Sequence, residues 1–167
     1  MDLLKSENVT KEFHKACIAG NLKEVKALLS MKERIDVKQL DEDHTLSEVV
    51  RKKNVDIVKI LIGLGVNVNK QGVSPIAPLH WAVASPNNLP VAKILIQNGA
   101  NLDAIVEGFN HTPLWFASDY GNVGTVKLLL ENGCKTGIRN QNGWTALENA
   151  MRNGHIEVLK LFVFHGK

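Results

Sequence analysis

The chain of 167 residues carries 20 Lys and Arg against 17 Asp and Glu, a formal net charge of +3, and is 44% hydrophobic and 22% charged. That balance excludes a disordered chain, and no stretch approaches the roughly 18 apolar residues of a membrane span. The opening residues Met1–Asn8 hold no apolar core of signal-peptide length, so an intracellular, cytoplasmic address is expected, with secretion by another route left open.

Five small residues recur at one slot: Ala16, Val49, Ala82, Ala117 and Ala150, spaced 33, 33, 35 and 33 apart. Five lysines keep an independent ruler: Lys26, Lys59, Lys93, Lys127 and Lys160, spaced 33, 34, 34 and 33. The two rulers agree to within one residue and define five units of about 33 residues. The units run approximately over 6–38, 39–71, 72–106, 107–139 and 140–167, in a single domain spanning 1–167. A further motif appears as Ala77-Pro78-Leu79-His80, Thr112-Pro113-Leu114-Trp115 and Thr145-Ala146-Leu147-Glu148. On these residues the chain resembles the ankyrin repeat family, whose unit carries Thr-Pro-Leu-His-x-Ala. The resemblance covers nearly all of residues 10–166. It implies an all-α solenoid of stacked helix-turn-helix units with hairpin-like fingers.

Unit one, around Phe13-His14-Lys15-Ala16, lacks the Thr-Pro start. Its Lys11, Glu12 and Lys15, with a native-looking Met1, suit a polar N-terminal cap. Unit two puts Ser47 in the histidine slot, and Lys53 stands where Gly20, Gly121 and Gly154 stand. A left-handed residue other than glycine costs on the order of 1 kcal/mol. That turn is therefore expected to be strained, or rebuilt around Asn54. Unit three has two insertions, in Ser85–Pro90 and around Val106–Phe109, both in loops.

Unit four is the most regular. Thr112 caps a first helix that opens on Pro113 and runs to about Tyr120, and Gly121 ends it. A second helix spans Val123 to about Asn132, and Cys134–Asn142 form a finger. Unit five has Glu148 and Asn149 in the histidine and aromatic slots, as a C-terminal cap would. Phe162, Val163 and Phe164 are more apolar than a solvent-facing last helix requires. Phe164 is expected to pack back onto unit four; the other reading is a fragment of a longer chain.

No phosphate-cradling loop, nucleophile elbow or His-Glu-x-x-His pair occurs, and the six histidines do not cluster at ligand spacing. No catalytic residue, metal or cofactor is expected. Stacking at about 10 Å per unit puts Cys17 and Cys134 about 30 Å apart, beyond disulfide reach, so both are expected to pack. The resemblance implies that His80 ties units together through backbone groups. It also makes Asn69 a substrate for an oxygen-dependent hydroxylase where the source has one, although a turn role is expected. The lysine ladder suggests weak polyanion binding, but Glu24, Asp56 and Glu157 adjoin it and no aromatic interleaves. A solvated face is the better reading.

Family resemblance implies protein binding through finger tips and the concave face of the first helices. The aromatics agree independently, since Trp81, Phe109, Trp115, Phe116, Tyr120 and Trp144 all fall in first helices or fingers. Phe109, Tyr120 and Trp144 are the main partner-binding candidates, with Trp81 and Phe116 beside them and Trp115 as a packing substitute. Asp41 and Asp43 on the first finger and Arg51 at a helix end make a polar N-terminal half. The expectation is a monomeric, non-enzymatic module that binds an unidentified polypeptide, with no nucleic acid or membrane partner. The alternative is a regulatory or targeting fragment of a larger effector or enzyme.

Overall fold

The computed structural model describes residues 2–31, 34–72 and 74–165, with side chains from residue 8 to 164 among them. The expectations that touch Met1 and Lys167 lie outside the described residues. Helices α1 (Asp2–Ala19) and α2 (Leu22–Ser30) form unit one, followed by a short α3 (Val37–Glu42). The later pairs are α4 (Thr45–Arg51) with α5 (Val55–Gly63), and α6 (Pro78–Val83) with α7 (Leu89–Gln97). Helices α8 (Pro113–Asp119) and α9 (Val123–Glu131) make unit four, and α10 (Ala146–Arg152) and α11 (Ile156–His165) make unit five. Inner helices α1, α4, α6, α8 and α10 pack side by side in that order, and the outer helices α5, α7, α9 and α11 do the same behind them.

The recurring small residues sit where these layers touch. Ala16, Val49, Ala82, Ala117 and Ala150 are all buried, as are Phe13, Leu46, Leu79 and Leu114 at the matching leucine slot. Each pair alone would leave those faces wet, so burial comes from stacking. The ruler lysines are all exposed.

Local chemistry sets the helix ends. Thr112 Oγ1 accepts the Trp115 N–H at 3.1 Å and opens α8. Thr145 and Glu148 form a reciprocal capping box on α10. In unit two Lys53 keeps the left-handed turn, at φ 63, rather than surrendering it. Asn54 serves next to it as the cap of α5, accepting the Ile57 N–H at 3.2 Å.

Two ladders of polar bonds tie successive units. At the helix turns, Asn88 Nδ2 donates to the Val50 carbonyl at 3.1 Å and Asn122 Nδ2 to the Val83 carbonyl at 2.8 Å. These carbonyls lie at C-terminal ends of inner helices, where no intrahelical donor reaches them. Along the fingers, Asp41 Oδ1 accepts the Asn67 N–H, Asn69 Oδ1 the Asn101 N–H and Asp103 Oδ1 the Lys135 N–H, at 2.9, 2.7 and 2.8 Å. Asn69 Nδ2 also donates to the Gly99 carbonyl at 3.0 Å, so both ends of that amide are used in joining turns.

Helix α1 runs back to Asp2. Two expectations are corrected, for the first finger and for Phe164. The first finger is a helix, α3, since Asp36 caps it through the Lys38 and Gln39 N–H groups. The later fingers are held by turn bonds and by one isolated bridge, Val106 with His111, among the described residues. Phe164 does not pack back onto unit four; it is 75% exposed, because the inward slots of α11 fall on Val158 and Phe162.

Candidate partner-binding surface

The inserted loop of unit three makes the most unusual surface feature. Gly108 and Asn110 both take left-handed conformations, at φ 79 and 55, and the Val106 N–H bonds the His111 carbonyl at 3.0 Å. This tight turn throws Phe109 outward, 51% exposed. Behind it a column of rings forms. Phe109 stacks on His111 at 5.7 Å between centroids, and His111 lies flat on Trp115 at 3.6 Å with planes 5° apart. Phe116 meets both Trp115 and His80 edge-on, at 5.9 and 5.5 Å. Sequence reasoning missed His111. A usable signal existed, since it occupies the slot before the capping threonine that Trp144 fills one unit later.

Protonation follows from the partners. Asn140 Nδ2 approaches His111 Nε2 at 3.4 Å, and an amide nitrogen only donates, so that ring nitrogen is the unprotonated one. Burial pushes the His111 proton affinity down, with Asp119 pulling partly back. His80 is likewise lowered by burial. Its Nε2–H is shared between the carbonyls of Ala104 and His111, at 3.1 and 3.2 Å. Trp115, in the equivalent slot of unit four, makes no such bond; its buried Nε1 has no acceptor and the ring stacks instead.

Trp144 sits on the next finger, 40% exposed. Asn140 builds the turn beneath it: its N–H bonds the Trp144 carbonyl and its Oδ1 accepts the Trp144 N–H, both at 2.9 Å. The Arg152 guanidinium lies over the indole, 5.8 Å from the ring centre. Arg152 therefore stands at the end of inner helix α10. The Gln141 N–H bonds the Phe109 carbonyl at 3.0 Å, so Phe109 and Trp144 stand on adjoined fingers.

Tyr120 is 57% exposed but follows the other end of α8, about 10 Å along the helix from the fingers. The three main candidates thus border a strip and do not meet in one cluster. Trp81 and Phe116 lie half-buried within that strip and pack against the core. Asp119 locks α8 to α10, accepting from Asn149 Nδ2 and Asn153 Nδ2 at 2.9 Å each.

The polar half is less available than the sequence suggests. Asp41 is engaged by the Asn67 N–H and Asp43 accepts from Gln39 Nε2 at 3.0 Å, so neither carboxylate stands free on a finger tip. Arg51 pairs with Glu48 at 2.8 Å. On the outer face Lys127 and Lys160 pair with Glu131 and Glu157. Cys17 and Cys134 are buried and free, and burial pushes each thiol up to about 12, which keeps them protonated packing groups. Among the described residues no helix is long and apolar enough to cross a membrane.

Comparison with known proteins agrees with this geometry. The family of ankyrin repeats, described in three copies, matches residues 13–106 and again 79–167. No curated protein matches the chain. Ankyrin repeats are in general protein–protein interaction modules, and the family is typically non-enzymatic. With stacked helix pairs, the shared motif and matches that together span residues 13–167, the chain belongs to the ankyrin repeat family.

Proposed function

We propose that this chain is a non-enzymatic module that binds a polypeptide across the inner helices and fingers of units three to five. Phe109, Tyr120 and Trp144 are its main anchors. One observation carries this reading: three large rings stay exposed on the inner helices and fingers, in a fold that buries its own packing residues almost completely. Aromatic side chains held in place by a rigid backbone are what interface hot spots use. Asn140 holds the Trp144 backbone and the Arg152 guanidinium lies over its indole before any partner arrives, which lowers the ordering cost of binding.

The test is a photo-crosslinking residue placed at Tyr120, at Trp144 or at Lys93 on the outer face, in lysate from the native source. A common adduct at the first two sites and none at Lys93 is expected. Trp144→Ala should then weaken the captured partner about tenfold, roughly 1–2 kcal/mol, with the melting temperature nearly unchanged. Adducts confined to Lys93, or a Trp144→Ala variant that binds normally, would overturn the assignment.

A further inference from the structure

Two neighbouring fingers meet at a contact that a single proton can reverse. Asn140 is buried, and its Oδ1 accepts two backbone N–H groups of its own finger, from Asn142 at 3.0 Å and Trp144 at 2.9 Å. Those two bonds decide which way the amide points. Turning it over would set Nδ2 against both N–H groups and leave them without an acceptor. Nδ2 therefore stays on the side of His111, 3.4 Å from its Nε2. The pair is satisfied only while that ring nitrogen keeps its lone pair, with the ring proton on Nδ1.

A proton on Nε2 turns the contact into two donors face to face. The imidazole has little freedom to turn away, because it lies flat on Trp115 at 3.6 Å and against Phe109 at 5.7 Å, with Phe116 edge-on at 5.8 Å. A cation over the face of an indole is itself favourable, so the charged ring keeps its stack. Asn140 is then the side that gives way, and with it the turn that carries Trp144.

The charges around the ring leave this contact to Asn140. On α8, Asp119 draws a proton toward His111, but its Oδ1 accepts from Asn149 and Asn153 of α10. On α6, His80 donates to the His111 carbonyl and so touches backbone, not the ring. Glu148 of α10 is paired with Arg139 of the finger, Arg152 lies over Trp144, and Glu107 beside Phe109 is exposed. Among the described residues no carboxylate bonds the His111 ring, so nothing takes the new N–H in place of Asn140.

We propose that His111 and Asn140 form a proton-operated latch: neutral His111 clasps the next finger, and its protonation releases that finger with Trp144. Acid loosens the aromatic anchor while the helix pairs stay stacked on their buried alanine and leucine slots. The latch stands by itself; its consequence, weaker capture of a polypeptide in acid, rests on Trp144 being a partner anchor.

Nuclear magnetic resonance of the full chain, titrated from pH 8 to 5, tests the latch. The backbone amides of Asn142 and Trp144 should shift with the midpoint of the His111 ring, and their protection factors should fall about tenfold between pH 7.5 and 5.5. His111→Phe should make both responses flat. Asn140→Asp should reverse the sense, since one carboxylate oxygen keeps the two turn bonds and the other accepts from protonated Nε2. Its His111 midpoint should lie about one unit or more above the parent's, and the two amides should gain protection in acid. Amides that ignore the His111 titration, or a midpoint in Asn140→Asp no higher than the parent's, would overturn the latch. With the photo-crosslinking residue at Tyr120, adduct yield should fall several-fold at pH 5.5 in the parent and hold in Asn140→Asp. Equal yields in both proteins would overturn the acid control of binding, whereas no adduct at any pH would count against the partner site alone.

Discussion

Lys53 holds a backbone conformation that equivalent turns assign to glycine, at φ 63 beside Gly20, Gly121 and Gly154 at 76, 66 and 72. Reading the slot from sequence was enough to locate this strain, because the turn geometry is imposed by the neighbouring units. Lys53→Gly should therefore stabilise the chain by about 1 kcal/mol and raise the urea midpoint. An unchanged or lower midpoint would show that the lysine stem contributes more than its backbone costs. The histidines add a dependence on pH. His80 and His111 both bind a proton less readily when folded, since burial strips water from the cation. The unfolded chain takes that proton near the ordinary value of about 6.5, so this contribution is complete above that pH and is lost as pH falls below it. Urea midpoints should drop between pH 7.5 and 5.5, by less in His111→Phe, which keeps the stacked ring. Equal drops in parent and variant would exclude His111 as a source.

Helix pairs were readable in the sequence because a cap, a glycine and a leucine slot repeat at fixed spacing. What was not readable were contacts that depend on an inserted residue or on a partner in another finger. The stack of Phe109, His111 and Trp115 depends on the left-handed turn at Asn110, which one inserted residue creates. The engagement of Asp41 was hidden because its donor, the Asn67 N–H, lies 26 residues away in the next finger. Turn asparagines show how much such links matter. Asn122 is buried and is the donor seen at the Val83 carbonyl, whereas the Asn132 amide bonds the Leu128 carbonyl at the exposed end of α9. Asn122→Ala should cost roughly 1–3 kcal/mol and Asn132→Ala within about 0.5 kcal/mol of nothing. Thermal melts of the two variants would settle it; similar losses would mean that the turn ladder is not what joins α8 to the preceding unit.

At the scale of the molecule, polar and aromatic surfaces are separated along the array. Exposed rings gather in its second half, and exposed lysines run the length of its outer side. The outer lysines have no stacking aromatic among them, so changing Lys93 and Lys127 to Gln should leave partner affinity within about twofold at moderate salt. A loss of tenfold or more, measured by titration calorimetry, would move recognition to the outer side.

The two ladders also have a direction. At the helix turns and along the fingers the donor belongs to the later unit and the acceptor to the earlier one, from Asn67 on Asp41 to Asn122 on Val83. His80, the Asn69 amide and the Val106 N–H point forward instead. A polypeptide leaving the ribosome makes its acceptors first. Each finished repeat can wait in water with solvated carbonyls and carboxylates until the next one emerges and supplies the N–H groups. Shortening the protein from its two ends should then be unequal. Deleting residues 140–167 strands acceptors, at Asp119 and the Phe109 carbonyl, whereas deleting 1–43 removes Asp41 and strands the Asn67 N–H of the next finger. The first deletion should keep a cooperative urea transition and the second should lose more of it; the reverse order would show that co-translational assembly gains nothing from this polarity.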